Sequence, residues 1–161
     1  EKYSPPYNHQ GVAFTPSFII VPDMPNLVGN FKWKEILDSW NPNGTLYFHV
    51  LDKKSGQEVA LYSLPKDSEL KYTEHNINAF ENQTHITFDL TLETKHELDF
   101  FAGIPDPHSA AAKGTFSRIT MHNPNQKDVP TNGHVINVEY FTDNSKTSVE
   151  FGVVNPNFMW K

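Results

Sequence analysis

Cysteine is absent from the 161 residues, arginine occurs once, at Arg118, and no apolar run reaches the length of about 18 residues that a membrane-spanning helix needs. Without cysteine there is no disulfide scaffold, no thiolate metal site and no cysteine nucleophile. The formal charge is −6 and the 13 lysines and arginines form no cluster. That argues against a nucleic-acid partner, because such affinity comes largely from basic side chains neutralising phosphates. No glycine-rich phosphate loop and no Gly-x-Ser-x-Gly elbow occurs, so phosphate cradling and serine hydrolysis of those kinds lack their local signatures.

The chain does have uncharged polar residues in abundance. Hydrophobic residues make up 37% and charged residues 20%, and Asn and Thr fill much of the remainder, a balance that suits short strands joined by many loops. Its length fits one domain able to bury a core without covalent staples. The first residue is Glu1 rather than Met, which predicts a processed mature protein or an excised domain. Residues 1–11, with Pro5, Pro6 and Gly11, read as an extended arm or linker, and 12–161 as a single β-sandwich domain.

Three Asn-Pro-Asn tripeptides, at Asn41-Pro42-Asn43, Asn123-Pro124-Asn125 and Asn155-Pro156-Asn157, abut apolar runs. Proline lacks a donor and asparagine satisfies turn backbones, so they predict loops at strand ends. An apolar stretch over 12–21 is demoted by Pro16 to an edge or bulged strand. Over 30–40, Trp33, Ile36, Leu37 and Trp40 repeat at helical spacing behind a candidate cap at Asn30, which predicts one short helix. Two β-rich runs, 45–52 and 57–64, flank Lys53-Lys54-Ser55-Gly56 as a hairpin. Over 84–93 Ile86, Phe88, Leu90 and Leu92 alternate with His85, Thr87, Asp89 and Thr91, the signature of a half-buried strand, onto which 97–103 is expected to pair back. Finally 115–122, 134–142 and 146–154 read as a three-strand meander, which would bring the second and third Asn-Pro-Asn loops to one end of a sheet.

These elements predict an all-β protein, an antiparallel β-sandwich or jelly roll with one short helix, with an eight-stranded β-barrel as the alternative. Gly29 and Trp33 stand four apart, unlike the Gly-x-Trp spacing of lipocalin-type barrels.

Candidate chemistry is sparse. Glu97-Leu98-Asp99 resembles part of the Glu-x-Asp-x-x-Glu strand of retaining β-glucanases, but Ala102 occupies the third carboxylate's place, so the acid/base position is empty. Glu139 or Glu150 would have to supply the second carboxylate from another strand. The eight histidines are scattered singly; His85 and Asp89, with His96 across a turn, share a candidate divalent-ion face. Calcium in an Asn- and Asp-rich loop near Asp106 or Asp128 is the other metal option, and otherwise no cofactor is expected. The sequons at Asn43 and Asn82 are compatible with secretion.

What remains is aromatic and amide chemistry of the sort that walls ligand pockets. His122, Asn123, Asn125, Asn155, Asn157 and Trp160 form the expected binding rim, against the alternative that Asn-Pro-Asn is turn chemistry alone. The functional expectation is a non-enzymatic extracellular or cell-surface recognition module, an adhesin or carbohydrate-binding domain whose partner is a glycan or a host or cell-surface protein, with no nucleic acid and no membrane insertion. A jelly-roll structural protein of a virion, phage tail or surface fibre is the second reading, and a β-sandwich polysaccharide hydrolase the third.

Overall fold

A computed structural model describes residues 11–25, 41, 43–73, 75–94 and 114–142. The predicted helix over 30–40, the carboxylates Glu97, Asp99 and Glu150, and the segments 1–10 and 146–161 lie outside them. Pro16 breaks the expected strand into two. β1 (Ala13–Phe14) and β2 (Phe18–Asp23) pair antiparallel around Thr15-Pro16-Ser17, and the Thr15 hydroxyl accepts the Phe18 N–H at 3.0 Å. Pro22 is tolerated inside β2 because β1 reaches only Ile19 and Ile20, so no ladder donor is missing on that side.

The hairpin of β3 (Tyr47–Asp52) and β4 (Glu58–Ser63) forms as the turn residues dictate. The Asp52 carboxylate accepts the Lys54 N–H at 3.1 Å, the Ser55 N–H at 2.7 Å and the Ser55 hydroxyl at 2.7 Å. Gly56 then adopts φ 69°, a left-handed conformation that glycine enters without a Cβ penalty. β2, β3 and β4 follow one another across the first sheet.

The second sheet runs β5 (Asn76–Glu81), β6 (His85–Leu92), β7 (Thr115–His122) and β9 (Asn137–Tyr140). Both edges of β6 are taken, one by β5 and the other by β7. Residues 97–103, which were expected to pair with it, lie outside the described residues, and β5 was not foreseen. Nor is β6 half-exposed. Thr87, Asp89 and Thr91, expected to face solvent, are buried along with Ile86, Phe88, Leu90 and Leu92.

The expected meander in the last third holds where 134–142 supplies a strand antiparallel to 115–122, but the return is not direct, and its third strand, 146–154, lies outside the described residues. After β7 the chain first lays β8 (Asn132–His134) parallel to β4 at the edge of the first sheet, then crosses to place β9 beside β7 in the second. Val135, between the two, is buried in the core. Core side chains from the two sheets meet directly, as where Phe48 and Phe88 pack edge to face with centroids 5.1 Å apart.

The described residues are thus all-β, in two mostly antiparallel sheets, with no helix among them. The all-β class is borne out. A jelly roll is not supported, because β1 to β4 and β5 to β7 each pair with their neighbours in sequence and only β8 and β9 cross between sheets, and the two separate sheets of the described residues do not make the alternative eight-stranded barrel.

Candidate functional site

The expected binding rim resolves, where it is described, into a turn. Asn123 is only 5% exposed. Its Nδ2 donates to the Asn82 carbonyl at 2.7 Å, its Oδ1 accepts the Asn125 N–H at 2.9 Å, and its own N–H donates to the Thr84 carbonyl at 2.9 Å. The amide is spent on backbone and holds the β7 end against the β5–β6 turn. The preceding carbonyl, of His122, accepts the Tyr62 hydroxyl at 3.2 Å. Asn125 is exposed. Asn155, Asn157 and Trp160 lie outside the described residues.

The surface-metal expectation also separates into other partnerships. Asp89 receives Arg118 in a two-pronged ion pair, Nε at 2.7 Å and a terminal nitrogen at 3.0 Å, and the guanidinium lies 5.5 Å from the Phe80 ring centroid and 5.3 Å from that of Phe141. The Asp89 hydrogen bond raises the Arg118 pKa, so the guanidinium is charged throughout the ordinary pH range. His85 stacks on His122 directly across the β6–β7 pair, with centroids 6.3 Å apart. Glu139 is exposed on β9 opposite Arg118. Asp128 sits in a loop with φ 62°, and among the described residues no three His, Asp or Glu side chains converge to hold a metal ion.

A second charge cluster spans the first sheet. His49 on β3 has Nδ1 2.6 Å from a Glu58 oxygen and Nε2 3.5 Å from an Asp23 oxygen. Burial disfavours the imidazolium, but the hydrogen bonds and charges of the two carboxylates outweigh it and hold the pKa above 6.5.

The most ligand-like feature was missed by sequence reasoning. Where β1 runs beside β5 the two sheets leave a cleft of about 440 Å³, within the range of about 300–1,000 Å³ typical of small-molecule sites. Val12, Phe14, Ile77 and Ala79 make its wall apolar, and Asn76 and Asn78 add amides. Its width is set by a latch: the Glu81 carboxylate accepts the hydroxyls of Thr15 and Ser17, each at 2.5 Å, and the Ser17 N–H at 3.3 Å. Lys53, from the β3–β4 turn, stands at the rim, its ammonium donating to the Thr15 carbonyl at 2.5 Å and lying 5.7 Å from the Phe14 ring centroid. No local motif signals this arrangement, since its parts come from three distant segments.

Comparison with known proteins places this geometry in context. The family model described as RPE65, retinal pigment epithelial membrane protein, matches residues 2–161. A mitochondrial carotenoid-cleaving dioxygenase of Pongo abelii is 36% identical over 101 residues, covering 56% of this chain and 17% of that protein. Among solved structures, an ACO/RPE65 chimera superposes with a TM-score of 0.57 at 16% identity, over 93% of this chain and 29% of that one. The lignostilbene dioxygenase of Pseudomonas brassicacearum gives a TM-score of 0.55 at 16% identity, over 87% of this chain and 30% of that one. The chain therefore spans less than a third of the length of each of these proteins.

These findings overturn the functional expectations drawn from composition. The relatives are oxygenases, so the non-enzymatic adhesin or carbohydrate-binding module, the virion or fibre component and the polysaccharide hydrolase all fall. A relative that cleaves carotenoids replaces the glycan or cell-surface protein as the guide to partners. One that is mitochondrial removes the ground for an extracellular location. The expectation of no cofactor, or of calcium, fails because the family uses iron, although the described residues do not by themselves fit an iron centre, since no three suitable donors converge. Amide-rich loops and scattered aromatics are compatible with many functions, and the match over residues 2–161 decides among them: this chain belongs to the RPE65 family.

Proposed function

We propose that the chain supplies two adjacent blades of a β-propeller oxygenase that cleaves a carbon–carbon double bond in an apolar conjugated substrate. The carrying observation is the family match across residues 2–161. Two sheets built from successive antiparallel strands, packed face to face through Phe48 and Phe88, suit consecutive blades. The solved neighbours are carotenoid oxygenase β-propellers. The named substrates of two relatives, a carotenoid and a lignostilbene, share a conjugated double bond. In this reading the buried faces of the chain exclude water and give the rest of the propeller a rigid wall. Iron, when bound, supplies oxygen activation. The described residues show no set of ligands for it and serve as scaffold and wall.

The experiment is cleavage by the whole polypeptide under oxygen. Incubation with a carotenoid and, separately, with a stilbene should yield paired carbonyl fragments, identified by chromatography and mass, with label incorporated from isotopic oxygen. Intact substrates after incubation of an iron-loaded, folded protein would remove this reading.

A further inference from the structure

We propose that the cleft between β1 and β5 binds an amphipathic carboxylate, an aliphatic chain lying along the apolar wall with its head group on Lys53. Three observations carry the proposal. The wall is apolar where Val12, Phe14 and Ile77 line it, and Phe14 remains 48% exposed beside the opening, where a ligand's apolar part can reach it. Among the described residues that line the cleft the one charged side chain is a cation, Lys53, and none of the described carboxylates pairs with it. The ammonium is also positioned: its bond to the Thr15 carbonyl uses one of three donors and leaves two to aim at an incoming anion. A neutral apolar ligand would fill the wall and leave that charge unused. A small hydrophilic anion would meet the charge and gain nothing from the wall. Only a molecule with both parts uses both features, and a carboxylate accepts hydrogen bonds from an ammonium with charge assistance.

The cleft is built rather than incidental. Its two sides belong to different sheets and are tied by Glu81 to Thr15 and Ser17, so β1 is held at a fixed distance from β5 before any ligand arrives. Such preorganisation lowers the ordering cost of binding.

Calorimetric titration of the protein with dodecanoate and with dodecanol, below their aggregation concentrations, tests the proposal. Dodecanoate is expected to bind with one-to-one stoichiometry and on the order of tenfold more tightly than the alcohol, the equilibrium equivalent of one charge-assisted contact near the surface. Lys53→Met should erase that preference while leaving binding of the alcohol unchanged, Lys53→Arg should retain it, and Phe14→Ser should weaken both ligands alike. Circular dichroism melts establish that each variant is folded, and Lys53→Arg keeps the test decisive should Lys53→Met not fold. Equal affinity for the two head groups, a preference that survives Lys53→Met, or no binding of either probe by the parent would overturn the proposal. Because no step of oxygen chemistry is read, its failure is separate from failure of the oxygenase assignment.

Discussion

Removing Arg118 should cost more than removing the charge of its partner, although the two residues share one ion pair. The reason is the asymmetry of their surroundings: the Asp89 side chain is 4% exposed and that of Arg118 is 36% exposed. Breaking a buried pair by deleting one partner costs about 3–5 kcal/mol, because the other charge stays desolvated. Arg118→Met strands Asp89 in this way, but the opening left on the solvent side admits water, so we discount the figure to about 2–3 kcal/mol. The lost contacts with Phe80 and Phe141 add about 0.5–1 kcal/mol each, which the methionine sulfur partly restores against the same rings. Asp89→Asn leaves a guanidinium that can turn to solvent and an amide oxygen that still accepts from it, at a cost of about 1 kcal/mol. With about 2–4 °C per kcal/mol for a chain of this size, the melting temperature should fall by about 5–10 °C for Arg118→Met and about 2–4 °C for Asp89→Asn. Urea unfolding of both single variants and of the double variant gives the coupling, and the double should be less destabilised than the sum by about 1 kcal/mol. An Asp89→Asn loss equal to or greater than that of Arg118→Met would refute the reasoning, because it would mean that the carboxylate is not the desolvated partner.

Three further outcomes follow from other contacts. Asn123→Ala should lower stability by about 1–2 kcal/mol, since it leaves the Asn82 carbonyl and the Asn125 N–H without the side chain that satisfies them, while exposed Asn125→Ala should stay within about 0.5 kcal/mol in the same urea titration. A Cβ added at Gly44 would stand 2.5 Å from the Pro25 Cβ, so Gly44→Ala should destabilise by about 1–3 kcal/mol through overpacking, read as a shifted denaturation midpoint. The pKa of His49 is raised in the folded chain above its ordinary 6.5. Its contribution is therefore fully present below the unfolded value and is lost as pH rises through the folded one. Unfolding midpoints taken from about pH 5.5 to about pH 8.5 should decline less in Glu58→Gln than in the parent, and parallel declines would show that the Asp23–His49–Glu58 cluster is not the source.

What could be read from the sequence follows from which interactions are local. The β3–β4 hairpin was legible because its turn is specified within a few residues, Asp52 holding Ser55 and Gly56 taking the left-handed position. The Asn-Pro-Asn at 123–125 was legible as a turn for the same reason, and the recognition role laid over it had no local support. By contrast, alternation in β6 says only that two kinds of residue face opposite ways. It does not distinguish a face turned to water from one where Arg118 on β7 neutralises Asp89 out of solvent, since that partner is remote in sequence. The break at Val135 and Ile136 hides similarly: 134–142 scans as one strand, yet the chain changes sheets there, with the buried Val135 N–H donating to the Ser63 carbonyl of β4 and the Ile136 N–H to Thr120 of β7.

The same limit explains why the architecture pointed to a sandwich. A propeller blade and half of a β-sandwich are both antiparallel meanders with a core face, so period-two patterning is identical in the two. The distinction lies in what the other faces of each sheet contact. In the second sheet Thr87, Asp89 and Thr91 of the central strand β6 are buried on the side away from Phe48, while Arg118 beside Asp89 on β7 stays 36% exposed and β9 is mostly exposed, so this face is screened at its centre and reaches solvent around it. A β-sandwich sheet normally leaves its outer face wet, and here only the central strand of that face is withdrawn from water, by the side chains of its own neighbours. The polar residues of β6 were read as a sign of solvent; Asp89 is instead taken out of it by the guanidinium of Arg118, which stands over it from the neighbouring strand and itself still meets water.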